Sequence, residues 1–302
     1  MNSKGKAYTY QELESDIQNL KANYSALEMQ SIGKSVWGKD LYCIRLGTGK
    51  AKLLYSGAHH GMEWITSALL MRFAREYLSA EEDGRALRGF NVAALSRRAS
   101  LYIVPMVNPD GVQLAASGIP KCLGNVEKQR LLKINGSDDF SKWQANARGV
   151  DLNHNYDAMW QESKALETEY GIFSPGPTRF SGEYAESEPE SRAVADLTRK
   201  MEFSLTIAFH SQGKVIYHGF MGKEPQNSLK IAKAFTRISP YKLDSTEGIA
   251  SYGGYKDWFV DKFNRPGYTI EVGEGQNPLP ACQLNRIYTE TLPIMLGAMT
   301  TI

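Results

Sequence analysis

Short apolar runs bounded by polar turns alternate with segments of helical periodicity from about residue 10 to residue 299, and this alternation points to an α/β sheet with helices on its faces. Thr9-Tyr10-Gln11-Glu12 has capping-box spacing and opens a helix through about Leu27, and Val36 to Leu46 reads as a hairpin-like strand region around Gly38-Lys39. Lys52 to Ala58 is a buried strand, after which Ile65, Ala68, Leu69, Phe73 and Tyr77 recur at helical spacing. Leu101 to Val107 is a second buried strand, closed by Asn108-Pro109-Asp110-Gly111, a composition that stops helix and strand alike. Residues 115–146 and 161–184 are polar with weak periodicity and are expected as long excursions of the kind that build or cover a site. Ser187-Glu188-Pro189-Glu190 is a second capping-box pattern, starting a helix to about Lys200. Ser204 to Phe209 and Val215 to Tyr217 are strand-like, and Glu224 to Ile238 is helical. Gly254 to Phe263 reads as a short helix, Tyr268 to Val272 as a buried strand, and Gln283 to Met299 as a closing helix interrupted near Pro293.

A chain of 302 residues, 42% of them hydrophobic, can bury a sizeable core, and its length allows one or two domains; no linker or internal repeat divides it. Thirty-five Lys and Arg against 33 Asp and Glu leave a net charge of +2, too balanced for a nucleic-acid or anionic-membrane binder. Cys43, Cys122 and Cys282 are far apart and odd in number, so they encode no disulfide framework and read as reduced, mostly buried thiols. No apolar leader follows Met1 and no run of about 18 apolar residues occurs, so the expected location is cytoplasmic, with export by another route left open.

Five histidines occur, and most of them fall at strand ends: His59 and His60 after the first buried strand, His154 in Asp151-Leu152-Asn153-His154-Asn155, His210 at the end of Thr206-Ile207-Ala208-Phe209, and His218 eight residues later. In an open α/β sheet the ligand crevice lies beyond the carboxyl ends of the strands, where residues distant in sequence converge. His60-Gly61-Met62-Glu63 offers an imidazole and a carboxylate that reach one ion, and His210 is the best third ligand. Together they complete the His₂Glu set of a catalytic zinc site with one open position. An isolated His-x-x-Glu is weak evidence; the combination carries the argument.

His60-Gly61-Met62-Glu63, Asn108-Pro109-Asp110-Gly111, Arg148-Gly149-Val150-Asp151-Leu152-Asn153, His210-Ser211 and Tyr268-Thr269-Ile270-Glu271 occur in the order and chemical type of the zinc carboxypeptidases, so the chain resembles that family from about Tyr8 to Met299. The resemblance implies one catalytic domain spanning residues 1–302, a mixed, roughly eight-stranded sheet flanked by helices, and one zinc ion. Carried over residue by residue, it makes His60, Glu63 and His210 the zinc ligands and Glu271 the general base, with Glu274 the nearest competitor for that role. It also makes Asp151 the carboxylate that orients the His60 ring, and Arg148 the group that polarises the scissile carbonyl.

Two departures bear on the substrate. Where the digestive enzymes hold a terminal carboxylate with an Asn-Arg pair, this chain has Asn153-His154, and an imidazole does not replace a bidentate guanidinium. In Ser251-Tyr252-Gly253-Gly254-Tyr255-Lys256-Asp257-Trp258, the residue matching the floor of the pocket for the residue after the scissile bond is Lys256, which implies an anionic group on the substrate. Tyr252 or Tyr255 stands near the place of the family's mobile tyrosine. These features, with residues 182–190 and 268–280, resemble the bacterial branch that hydrolyses γ-D-glutamyl-meso-diaminopimelate bonds in peptidoglycan peptides, with His154, Lys256 and Arg148 expected to read substrate carboxylates. The rival readings are a carboxypeptidase of unusual terminal specificity and a non-catalytic peptidoglycan or peptide binder that keeps the metal. No nucleic-acid or membrane partner is expected.

Overall fold

The computed structural model describes residues 6–245 and 248–302. The first half runs α1 (Tyr10–Asn23), β1 (Glu28–Lys34), β2 (Asp40–Leu46), β3 (Ala51–Gly57), α2 (Ile65–Glu82), β4 (Ala86–Leu87), β5 (Phe90–Asn91), α3 (Val92–Arg98), β6 (Ala99–Val104), α4 (Pro109–Ser117) and α5 (Asn125–Asn135). The second half runs α6 (Trp160–Glu169), α7 (Pro189–Met201), β7 (Leu205–His210), β8 (Val215–His218), α8 (Ser228–Ile238), β9 (Lys242–Asp244), α9 (Tyr255–Phe263), β10 (Gly267–Glu271) and α10 (Leu284–Ala298).

Among the described residues eight strands form one sheet in the order β1-β2-β6-β3-β7-β10-β8-β9, while β4 and β5 make a separate ribbon. The four central strands β6, β3, β7 and β10 are parallel, and antiparallel pairs flank them. Every residue of β6 and β7 is buried, which is why their sequences are continuous apolar runs rather than alternating ones. One large apolar cluster draws on α1, α2, α8 and α10, and a second, holding Tyr255, Trp258 and Phe259, draws on α7 and α9. The chain leaves β3 to pair with β6 on one side and later returns with β7 on the other. Connections therefore diverge beyond the carboxyl ends of β3 and β7, opening a crevice at that switch point.

Several local expectations are corrected. The first helix stops at Asn23, and the first hairpin strand occupies Glu28–Lys34 rather than starting at Val36; its mostly exposed pattern gives no apolar alternation to read. Asn108-Pro109-Asp110-Gly111 does not simply end a strand: it begins α4, with Pro109 in the first turn and the Asn108 side chain accepting from the Gly111 N–H at 2.8 Å. The polar excursions contain α5, with Leu131 as its one buried residue, and α6, which buries three. In the second capping-box pattern the Glu190 carboxylate accepts from the Val36 N–H at 3.0 Å, supporting the β1–β2 turn instead of its own helix start. β9, three residues long, has no counterpart in the sequence reading, and α10 runs through Pro293 without a break. Cys43 is buried as expected, but Cys122 and Cys282 are exposed. No helix among the described residues is long and apolar enough to cross a membrane.

Candidate active site

The turn after β3 is built by close backbone approach. A Cβ on Gly61 would lie 2.4 Å from the carbonyl group of Gly111, so the start of the short helical turn Gly61–Glu63 rests directly on α4. The Gly61 and Met62 N–H groups donate to the carbonyls of Gln144 and Trp143, each at 2.9 Å. Asn108 Nδ2 sits among the carbonyls of His59, Gln144 and Ala145 at 3.0 to 3.1 Å. The Asn-Pro-Asp-Gly motif thus fastens the histidine turn to the segment around Trp143.

From this turn His60 and Glu63 face His210 at the end of β7. One donor atom from each of the three lies within 4.8 Å of the others. Glu63 Oε1 is 2.9 Å from His60 Nδ1 and Glu63 Oε2 is 3.0 Å from His210 Nδ1, while the Ser211 N–H donates to Oε2 at 3.2 Å. The far nitrogen of His60 lies 3.2 Å from Asp151 Oδ1; Asp151 is itself buried, and its other oxygen accepts from the Arg179 N–H at 2.9 Å. Burial alone would raise Glu63, but the two imidazoles hold it down to about 2. Burial likewise works against the charged forms of Asp151 and His60, yet the His60 imidazole holds Asp151 well below the usual carboxylate range, and Glu63, with Asp151 adding to the effect, holds His60 well above the usual imidazole. Two ring nitrogens and a carboxylate aimed at one point, with Asp151 fixing the tautomer of His60, fit a zinc ion of the His₂Glu type. A bound ion would replace the protons that those contacts otherwise need.

His59 is not part of this set. It is fully buried, with Nε2 3.1 Å from the Tyr156 hydroxyl, and its ring stacks near those of His210 and Tyr255. Burial, then the neighbouring His210 and His60, pushes it well below the usual imidazole value.

Glu271 ends β10 directly beside His210 in the parallel register and lines a cavity of about 530 Å³ together with His60 and Glu63. Burial, reinforced by the charge of Glu63, raises its carboxyl well above the usual range. Its competitor Glu274 is exposed, bonded to Lys214 and Arg286, and does not line this cavity.

A second cavity, of about 320 Å³, adjoins the first at Tyr217 and has Lys256 and Asp257 in its wall, with His218, Glu224 and Asp244. Lys256 is only 5% exposed; its ammonium donates to the Gly219 carbonyl at 2.8 Å and pairs with Asp257. It is therefore neither a solvated surface lysine nor a bare positive charge. Asn153 and His154 line neither cavity: Asn153 Oδ1 accepts from the Tyr255 N–H at 3.1 Å, and the His154 backbone is packed under Gly253, where a Cβ would lie 2.4 Å from the His154 carbonyl oxygen. Tyr252 is half-buried outside both cavities, and Tyr255 is fully buried with its hydroxyl on Thr198, so it does not swing. Arg148 is expected to face the scissile carbonyl. Its guanidinium is half-exposed, 3.5 Å from the buried Glu188, and outside the cavity that holds the histidines. Lys142, Gln144 and Tyr217 line that cavity instead, and nothing in the polar sequence around the first two distinguishes them from an ordinary loop.

Residues 13–294 match the family described as zinc carboxypeptidase. The gamma-D-glutamyl-L-diamino acid endopeptidase 1 of Lysinibacillus sphaericus is 39% identical over 293 residues, 97% of this chain and 72% of the relative. The protein YqgT of Bacillus subtilis (strain 168) is 32% identical over 297 residues, 97% of this chain and 77% of its own length. Among solved structures, thrombin activatable fibrinolysis inhibitor shares the fold with a TM-score of 0.77 at 21% identity, covering 97% of this chain and 74% of the other. The chain belongs to the zinc carboxypeptidase family and is a zinc metallopeptidase of the metallocarboxypeptidase type.

Proposed function

We propose that this peptidase hydrolyses γ-D-glutamyl-meso-diaminopimelate amide bonds in peptidoglycan peptides. The observation that carries the reading is the mixed charge of the cavity adjoining the metal centre. The far end of diaminopimelate bears both a carboxylate and an amine. Two protons of the Lys256 ammonium are engaged by Gly219 and Asp257, which leaves the third for a carboxylate, while Glu224 and Asp244 offer oxygens to an ammonium. An apolar pocket would suit neither half of such a group, and a purely acidic one only its amine. The bond specificity in the name of the Lysinibacillus relative agrees with this chemistry.

A zinc ion held by His60, Glu63 and His210 supplies Lewis acidity when bound, making water acidic near neutral pH and polarising an amide carbonyl. Asp151 keeps the His60 Nε2 proton in place, so that Nδ1 presents its lone pair to the centre. Glu271, at the edge of the same cavity, takes one proton from the attacking water and returns it to the departing nitrogen. The water oxygen bonds to the carbonyl carbon, the C–N bond breaks, and the second water proton follows the first to the nitrogen, so that a γ-carboxylate and a diaminopimelate ammonium result.

Purified zinc-loaded protein offered L-alanyl-γ-D-glutamyl-meso-diaminopimelate and a panel of blocked L-peptides tests the reading. Turnover of the muropeptide is the expected result. Turnover of the L-peptides alone would replace it with a carboxypeptidase of unusual terminal specificity.

A further inference from the structure

The cavity over the metal centre holds one ammonium or guanidinium group among the described residues, that of Lys142. Its remaining wall, apart from the metal ligands and Glu271, is mostly neutral: Gln144, Gln212, Gln276 and Asn277 contribute amides. The Lys142 side chain is exposed, and among the described residues it has no ion-pair partner, whereas Arg148 is engaged by Glu188 and Lys256 by Asp257. The backbone beneath it is firmly held. Trp143 is fully buried and its carbonyl accepts from Met62 in the metal-binding turn, and the Gln144 carbonyl accepts from Gly61. Lys142 is thus an unpaired cation on a rigid footing, one residue from the segment that supports two metal ligands.

With the diaminopimelate residue in the Lys256 cavity, the acyl side of the scissile bond falls in the cavity that Lys142 lines. In a γ-linked glutamyl residue the third carbon beyond the scissile carbonyl carries both the chain nitrogen and a free α-carboxylate, whereas an α-linked residue has its nitrogen on the first carbon. On the substrate reading above, we infer that Lys142 is a specificity-determining residue that pairs with this α-carboxylate. The enzyme then selects γ-glutamyl peptides with a free α-carboxylate over those in which it is amidated. Amidation changes few atoms but removes the charge, so that the ammonium meets a neutral carbonyl oxygen in place of a carboxylate and the charge-assisted bond is lost.

The test is a substrate-by-variant cycle on the zinc-loaded protein, using the free-acid tripeptide L-alanyl-γ-D-glutamyl-meso-diaminopimelate and its α-carboxamide counterpart. Wild type is expected to favour the free acid by about tenfold in kcat/KM, the effect of one charge-assisted hydrogen bond, chiefly through KM. K142M loses about tenfold on the free acid and less than twofold on the carboxamide, and K142R restores the preference. Calorimetric binding of the product dipeptides L-alanyl-D-glutamate and L-alanyl-D-isoglutamine gives a readout independent of turnover, with the same preference in wild type and none in K142M. Because the side chain is exposed, K142M melts within a degree or two of wild type. Equal cleavage of both tripeptides by wild type, or a preference that survives in K142M, overturns the role of Lys142 alone. Failure of wild type to cut either tripeptide overturns the substrate reading, and this inference with it.

Discussion

Asp151→Asn isolates the carboxylate behind the metal site from the shape of its side chain. In wild type Asp151 Oδ1 faces His60 Nε2 at 3.2 Å and also accepts from the Asn153 N–H at 3.2 Å, and Oδ2 accepts from the Arg179 N–H at 2.9 Å. An asparagine carbonyl oxygen can keep the first two contacts, so the ring orientation and tautomer survive. What disappears is the negative charge that makes His60 a stronger donor to a cation. Losses of this kind weaken metal binding by about 10- to 100-fold, equivalent to about 1.4–2.8 kcal/mol. The new amide nitrogen faces the Arg179 N–H, two donors in a buried place, which costs the fold itself about 1–3 kcal/mol. The two effects are separable: competition with a chelator of known zinc affinity reports the first, and denaturant unfolding of the metal-free protein reports the second. Zinc affinity within twofold of wild type, beside a measurable loss of metal-free stability, would refute the argument and leave Asp151 a structural residue only.

Glu271→Gln should retain one zinc per chain by metal analysis while turnover falls by at least about 10²-fold, the usual contribution of a positioned proton acceptor; unchanged turnover removes it from the chemistry. His60→Ala and His210→Ala should each lose the metal, whereas His59→Ala keeps it and loses stability instead, since its ring is buried against Tyr156 and Tyr255 and is not among the three ligands. Glu190 is buried with the Val36 N–H and Asn146 Nδ2 as donors, and burial, with the nearby Asp110 adding to it, pushes its carboxyl up from 4.5 to about 7. A raised carboxyl stabilises the fold fully below the unfolded value and progressively less as pH rises through the folded one, so unfolding free energy should decline between about pH 4.5 and 7 and that decline should be smaller in Glu190→Gln. The slope is the readout rather than the level, because the glutamine amide nitrogen meets only donors at this site; equal slopes refute the assignment.

The parts of the fold visible in the sequence are those where burial writes a period. β3, β6, β7 and β10 are central strands covered on both faces, so their apolar runs stand out, and α8 shows a clean stripe because it lies on the sheet with one face in water. β1 and β9 sit at the two edges of the sheet with few buried residues, and α5 buries one side chain, so their sequences carry almost no such signal. Asn108-Pro109 shows a different limit. The same pair serves as a turn or as an N-cap with proline in the first helical turn, and only the chain packed against it decides; here the Asn108 side chain caps α4 with its oxygen and holds three carbonyls with its nitrogen.

The metal centre and the substrate shell differ in legibility for a related reason. His60, Glu63, His210 and Glu271 sit at or just beyond the carboxyl ends of three neighbouring parallel strands, so once those strands are recognised the topology alone brings the four side chains together. Arg148 and Lys142 lie six residues apart in a segment with no secondary structure, and which of them enters the cavity depends on a long-range partner. Glu188 arrives with α7, its carboxylate buried and in need of a cation, and it takes Arg148 at 3.5 Å. Asn146, between the two cations in sequence, is fixed by Glu188 and Glu190 through its amide nitrogen and holds the Arg148 and Val150 N–H groups with its oxygen. The acidic start of α7 therefore braces the 146–151 loop, pairing with Arg148 and holding Asn146, in the segment that carries Asp151 to His60. Replacing Glu188 with glutamine should accordingly weaken zinc binding through Asp151 although neither atom of the new amide touches the metal site, and an unchanged chelator competition would show that the loop is set by other contacts.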